Sequence, residues 1–226
     1  MERKYYEAYD DRYRQVHGQG IQWFDSAPSA IVAQTIAEFE ITGKMLELGC
    51  GEGRDAAFLL SRGFDVLATD ISPAAIAYCR KRDAKFEDNY RVLDCITGEL
   101  KERFDFIYAV AVVHMLVEDA DRANFYGFIR EHLKEDGIAL VCTMGDGVTE
   151  RSSDVSRAFD VQKRIHEPTG REVAIASTSY RAVSFETFRR EIEDAGLTIV
   201  KDGLTDIQPD YYRIMYAIMK KGDKVQ

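Results

Sequence analysis

The sequence predicts a doubly wound α/β fold on a largely parallel sheet, and three observations carry that reading. Short apolar runs alternate with helical patterns between Lys44 and Met144, an alternation that implies parallel strands joined by right-handed crossovers. The first run, "KMLEL", leads straight into "GCGEGR", where Gly49, Gly51 and Gly53 fall at alternate positions. The second, "FDVLATD", ends in an acid, Asp70. In such sheets ligands sit outside the carboxyl ends of the strands, where the strand order reverses.

Taken in order, residues 2–16 are rich in Tyr, Arg and Asp, with Tyr6, Tyr9 and Tyr13 near one helical face. The turn "HGQG" at 17–20 closes that segment. Asp25 or Ser26 with Pro28 then reads as the start of a helix running to Phe39. Strands are predicted at 44–48, 64–70, 90–94, 104–110 and 137–144, and helices at 54–63, 72–85 and 120–136. Ser72 with Pro73 is a strong helix start. Residues 145–180 break the rhythm and read as an insertion, with Arg151, Arg157, Lys163, Arg164 and Arg171 among acids. A helix over 184–196, capped by Ser184, and strands at 197–201 and 211–221 close the chain.

The composition narrows the class. A chain of 226 residues, 46% hydrophobic, supports a sizeable core. The net charge of −9 argues against a nucleic-acid partner, which needs concentrated Lys and Arg. Cys50, Cys79, Cys95 and Cys142 form no C-x-x-C pair, so neither a zinc site nor a disulfide framework is expected. Free thiols and a polar N-terminus suit the cytoplasm. No apolar run reaches the roughly 20 residues of a membrane helix.

The glycines permit a tight turn with positive φ and let a ligand lie against bare backbone. An acid ending the neighbouring strand can accept both hydrogens of a ribose diol. The spacing is G-x-G-x-G, with Arg54 where a dinucleotide fingerprint has its third glycine. The phosphate-cradling pattern G-x-x-x-x-G-K-[ST] is absent as well. The spacing suits a ribose-containing cofactor without phosphates.

Four stretches in order, "LELGCGEGR", "ATDIS", Leu93–Asp94 and "FDFIYAVAVVHML", resemble the successive motifs of the class I S-adenosylmethionine-dependent methyltransferases. "GEGRDAAFLLSRGFDVLATDIS" is similar to the tellurite-resistance and thiopurine methyltransferase group in particular. The resemblance implies a Rossmann-like, mostly parallel seven-stranded sheet with helices on both faces and an antiparallel last strand. It implies S-adenosylmethionine as cofactor, with Glu47, Gly49, Cys50, Gly51 and Gly53 around its methionine part and Asp70 on the ribose. Ile71 would lie against the adenine, Asp94 and Cys95 at its amino edge, and Ala109 and Val110 under the methyl group. Residues 1–226 would then form one methyltransferase domain, with 1–40 as an N-terminal helical lid and 145–180 as a substrate-side insertion.

The catalytic residues are less determined. Methyl transfer from a sulfonium needs mainly alignment and exclusion of water, with a base for some nucleophiles. His114, just after the fourth strand, is the candidate base. His17 reads as a solvated turn residue, His132 as remote, and His166 as an unplaced residue of the insertion. Trp23 and Phe24 are candidate walls of a substrate pocket. No set of carboxylates is spaced for a metal. The function expected is methylation of a small molecule at O, N or S by a cytoplasmic monomer or homodimer, with no nucleic-acid or membrane partner. A cofactor-binding interaction protein without turnover is the alternative, and a nicotinamide-dependent oxidoreductase is disfavoured by Arg54 and the glycine spacing.

Overall fold

The computed structural model describes residues 3–23, 27–166, 169–205 and 214–222. After a 3-10 turn at Tyr5–Glu7 come α1 (Ala8–Gly18), α2 (Ala30–Glu38), β1 (Met45–Leu48), α3 (Arg54–Ser61), β2 (Val66–Asp70) and α4 (Pro73–Arg82). Then follow β3 (Tyr90–Val92), β4 (Phe104–Val110), α5 (Asp119–His132) and β5 (Leu133–Thr143). The insertion carries β6 (Arg151–Ser152), β7 (Val161–His166), β8 (Arg171–Ala176) and β9 (Arg181–Ala182). The chain closes with α6 (Phe185–Asp194), β10 (Leu197–Thr205) and β11 (Ile214–Lys221).

Seven strands form one sheet in the order β10-β11-β5-β4-β1-β2-β3. Pairs β1–β2, β2–β3, β1–β4 and β4–β5 are parallel, and β11 is antiparallel to both β5 and β10. The order reverses between β1 and β4, which places the switch point, and hence the ligand crevice, at the glycine loop.

Alternation along the strands builds a core on each face. Leu46, Leu48, Ile107, Ala109 and Val141 join α5 and α6 through Phe125, Ile129, Phe188 and Ile192. Met45, Val66, Ala68, Phe106 and Tyr108 point the other way, to Ile36 of α2, Leu59 and Leu60 of α3 and Ile76 of α4. Two buried faces explain why the strands read as continuous apolar runs. The caps read in the sequence form: Ser72 accepts from Ala75 N at 3.0 Å with Pro73 in the first helical turn, and Ser184 accepts from Thr187 N at 3.2 Å.

Three of the differences from the sequence reading bear on the architecture around the site. α2 starts at Ala30, not near Ser26, because Ser29 is engaged elsewhere: its N–H and Oγ donate to Asp55 of α3 at 2.6 and 2.8 Å. Asp25 and Ser26 lie outside the described residues. α5 ends at His132, where residues 133–136 continue as strand, since buried Leu133 pairs with Phe104 before the register shifts to Phe106–Ile138. His17 sits in the last turn of α1, not in a solvated turn.

Within the insertion, β7 and β8 form an antiparallel hairpin and β6 pairs with β9. The hairpin packs on α1, where Val16 and Ile21 meet Val173 and Ile175. Arg12 donates to the carbonyls of Ala176 and Ser177 at 2.9 and 2.8 Å, and Ala176 N donates to Gln15 Oε1 at 2.6 Å. On its other side α1 is tied to the sheet. Asp10 accepts from Ser72 Oγ at 2.7 Å and Ala74 N at 3.0 Å, at the start of α4. No helix among the described residues is long and apolar enough to cross a membrane.

Candidate cofactor and acceptor site

The loop between β1 and α3 holds the centre of the site. Gly49, Gly51 and Gly53 all have left-handed backbones, with φ of 68°, 53° and 70°. Cys50 N donates to Thr69 O at 2.8 Å, so the loop is clamped to β2. A Cβ on Gly49 would stand 2.5 Å from Val112 Cγ2, and one on Gly51 would stand 2.5 Å from Tyr13 Oη. The bare backbone therefore forms a cradle that any side chain would fill. Gly53 serves another purpose. It lines neither cavity of the site, and its missing side chain makes room for Cys79 and Tyr90 where α3 begins.

Asp70 faces the cradle from the end of β2. Its carboxylate accepts from Gly51 N and Ser72 N, both at 2.8 Å. Burial pushes its pKa up to about 6, against the opposing pull of those two amides. Glu47, buried in β1, accepts from Tyr108 Oη at 3.1 Å. Burial, reinforced by Asp55, raises it to about 8, so it holds a proton at neutral pH. Asp94 accepts from Ile96 N at 2.9 Å, Thr97 Oγ1 at 2.7 Å and Tyr6 Oη at 3.3 Å. Beside it, burial pushes the Cys95 thiol up to about 12, so it stays protonated.

Two cavities open along the carboxyl edge of the sheet. The smaller, about 80 Å³, brings together Asp70, Ile71, Asp94 and Cys95 under Tyr6, Tyr9 and Tyr13 of the N-terminal segment. The larger, about 750 Å³, is lined by Glu47, Cys50, Gly51, Val110, His114 and Trp23, together with hairpin and 177–180 residues. Both are lined by Gly49, Tyr9, Tyr13 and Met115, so they lie side by side. The larger falls within the roughly 300–1,000 Å³ usual for small-molecule sites. Ala109 is core beneath the sheet edge, and Ala111, with a strained φ of 58°, lines the cavity in its place.

His114 is buried in the larger cavity's wall, 6.0 Å from the Tyr180 ring centre, and its Nδ1 has no hydrogen-bond partner among the described residues. Burial, with Arg122 and Arg12 nearby, pulls its pKa down to about 3, so the imidazole is neutral. Trp23 N donates to Glu52 at 2.8 Å, and His17 Nε2 lies 2.9 Å from the same carboxylate. Glu52 thus ties both residues to the glycine loop. Phe24 lies outside the described residues. His132 bonds to Phe128 O and Leu100, away from either cavity. His166 is buried at the end of β7, with Nδ1 on Thr169 Oγ1.

Several lining residues went unread in the sequence. Tyr9 and Tyr13 sat in a stripe that also suits packing. Arg12 and Ser177–Tyr180 gave no signal, because only the contact between α1 and the hairpin turns them toward the sheet edge, and Met144 reads simply as the end of an apolar strand.

Residues 46–139 match the family model of a methyltransferase domain. "Hemagglutinin 1" of Eikenella corrodens is 33% identical over 105 residues, 46% of this chain and 35% of that protein. The "Probable S-adenosyl-L-methionine-dependent methyltransferase TehB" of Haemophilus influenzae is 29% identical over 100 residues, 43% of this chain and 35% of that protein. The matched stretch thus spans about a third of these curated relatives. The structure of the 1,6-didemethyltoxoflavin-N1-methyltransferase of Burkholderia thailandensis superposes with a TM-score of 0.70 at 18% identity, covering 99% of this chain and 92% of that one. Residues 46–139 thus carry a methyltransferase domain similar to those of the S-adenosylmethionine-dependent enzymes, and the cofactor that goes with it is S-adenosylmethionine.

The cradle gives a direct test of where that cofactor lies. Gly51→Val forces a β-branched residue into a left-handed backbone, at about 1–2 kcal/mol, and places its side chain in the cavity. Calorimetry should show cofactor affinity falling at least tenfold more than the stability loss accounts for. Unchanged affinity would place the cofactor elsewhere.

Proposed function

We propose that this chain methylates a small-molecule acceptor at an oxygen, nitrogen or sulfur atom, as one methyltransferase domain with the N-terminal segment and the insertion as its cover. The observation that carries the proposal is the pair of adjoining cavities: a narrow one at Asp70 and Asp94, beside one large enough for a second molecule. A cofactor-binding protein without turnover has no use for the second. The Burkholderia structure, similar in fold, was determined with 1,6-didemethyltoxoflavin and S-adenosylhomocysteine bound, which agrees with a small acceptor.

The residues fit S-adenosylmethionine: a side-chain-free cradle, an acid at the end of the neighbouring strand, and a second acid beside the narrow cavity. Bound there, the cofactor supplies an electrophilic methyl group on a sulfonium. Asp70 accepts the ribose hydroxyls. Ile71 packs on the adenine, with Asp94 and Cys95 at its amino edge. Glu47, Gly49, Cys50 and Gly51 surround the methionine part, and Val110 floors the cavity beyond. Trp23, with Phe24 next in sequence, walls the acceptor from water together with the hairpin. At about 80 Å³ the narrow cavity is smaller than a nucleoside. Tyr6, whose hydroxyl is on Asp94, gives way as the cofactor enters.

His114 takes the hydrogen bond of the acceptor's nucleophilic group. Its neutrality fits it to accept that hydrogen and sets a pH signature. At saturating cofactor, kcat should show no loss attributable to an imidazole near pH 6.5. The test is a mass-spectrometric methyl-transfer screen across thiols, amines, phenols and carboxylates with the wild type and His114→Ala. The variant should lose about tenfold or more in kcat, within general acid–base magnitudes, with cofactor affinity unchanged. Full turnover by His114→Ala would remove His114 from the chemistry. A screen in which no acceptor gains a methyl group while the cofactor binds would favour the protein without turnover.

A further inference from the structure

The larger cavity is more basic than the protein around it. The chain carries a net charge of −9, yet Arg12, Arg54, Arg82 and Arg164 line the cavity against Glu47, Glu52 and Asp55. The three acids are already engaged. Glu47 accepts from Tyr108 and holds a proton. Glu52 takes the Trp23 N–H and His17. Asp55 takes both the N–H and the hydroxyl of Ser29. Arg54 donates to Ser29 Oγ and Arg82 to the Gly53 carbonyl, so these two belong to the scaffold of the cofactor loop.

The other two arginines are on the cover. Arg12 donates to the Ala176 and Ser177 carbonyls, with its guanidinium 5.2 Å from the Tyr9 ring centre and 5.4 Å from that of Trp23. Arg164, on β7, is exposed and has no ion pair among the described residues. Around them the wall is aromatic and thioether: Tyr9, Trp23, Tyr180, Met115 and Met144. His114 lines the same space. Guanidinium groups set among aromatic rings suit planar anions, which they contact by both charge and stacking.

We infer that the acceptor is a planar aromatic or heteroaromatic molecule bearing a negative charge, with its anionic group toward Arg164 and Arg12 and its nucleophilic heteroatom at the His114 imidazole. The inference rests on the methyl-transfer reading above and narrows it. Cationic amines are disfavoured twice, by the two guanidiniums and by an imidazole that carries no negative charge to offset them.

The experiment uses the full chain saturated with S-adenosylhomocysteine, so that cofactor binding is established first. Calorimetric titrations then compare three probes of one shape: 2-naphthoate, 2-naphthamide and 2-naphthylmethylammonium. The carboxylate should bind at least tenfold more tightly than the amide, and the ammonium more weakly still. Arg164→Glu, at an exposed position, should erase the preference for the carboxylate while leaving S-adenosylhomocysteine affinity within twofold. Arg164→Lys should retain most of it. Equal binding of the three probes, no binding of any, or a preference that survives Arg164→Glu overturns the inference. Failure of S-adenosylhomocysteine itself to bind would overturn the methyl-transfer reading instead.

Discussion

Asp70→Ala should lower the affinity for S-adenosylmethionine at least a hundredfold while the protein still folds. Each charge-assisted hydrogen bond to a ribose hydroxyl is worth roughly 1.5–3 kcal/mol. Two therefore exceed the roughly 2.7 kcal/mol that a hundredfold change requires. The effect on stability is subtler than removal of a surface acid. Asp70 pins Gly51 N and Ser72 N, and orphaning two buried amides costs about 1–3 kcal/mol each. Against this, the carboxylate is held near pKa 6 by burial. Removing it relieves the cost of that buried charge, about 3 kcal/mol at neutral pH. The terms are similar in size, so the melting temperature should move by a few degrees and the dissociation constant by orders of magnitude. Asp70→Asn, which keeps an acceptor, should recover much of the stability and little of the affinity. An unchanged dissociation constant in Asp70→Ala would make Asp70 a turn residue only.

The second large effect is a pH dependence. Glu47, raised to about 8 by burial and Asp55, is protonated in the ligand-free protein at neutral pH. With the cofactor placed as proposed, its ammonium group beside Glu47 favours the ionised form, so binding should release a proton. The sign follows from linkage: affinity rises with pH, approaching tenfold per unit below about pH 8, and flattens above it. Asp70 adds a similar rise below about pH 6. Both acids have raised pKa values, so ionising them opposes the folded, ligand-free state increasingly from about pH 4 to pH 8. Calorimetry at pH 7 in two buffers of different ionisation heat should report release of close to one proton. Glu47→Gln should abolish that release and flatten the affinity between pH 6.5 and 8. A wild-type affinity that falls as pH rises over this range would contradict the placement of Glu47.

These predictions concern residues that were legible in the sequence, and there is a physical reason for that. The glycine loop needs left-handed backbone, which only a few residue types supply, and Asp70 ends a strand whose neighbour the alternation identifies. The caps at Ser72 and Ser184 are local and read locally. What escaped depends on contacts distant in sequence. Ser29, not Ser26, precedes α2 because Asp55 takes its side chain and N–H. Residues 133–136 suit a helix by composition but join the sheet because Leu133 pairs with Phe104. The stripe of Tyr6, Tyr9 and Tyr13 reads the same whether it packs on a core or roofs a cavity. What decides its place is tertiary: Asp10 sits on the start of α4 and Arg12 on the carbonyls at the end of β8. The hairpin was hidden for a related reason: Val161, Lys163, Arg164 and Ile165 face largely outward, so β7 lacks the buried run that marks a core strand.

The measurement that bears most directly on the whole account is a calorimetric titration of the purified chain with S-adenosylmethionine and S-adenosylhomocysteine, in parallel for wild type and Asp70→Ala. The account predicts saturable binding of one molecule per chain to the wild type, lost by at least a hundredfold in the variant. Absence of heat and of any thermal shift at millimolar ligand, or equal binding by both proteins, would contradict it.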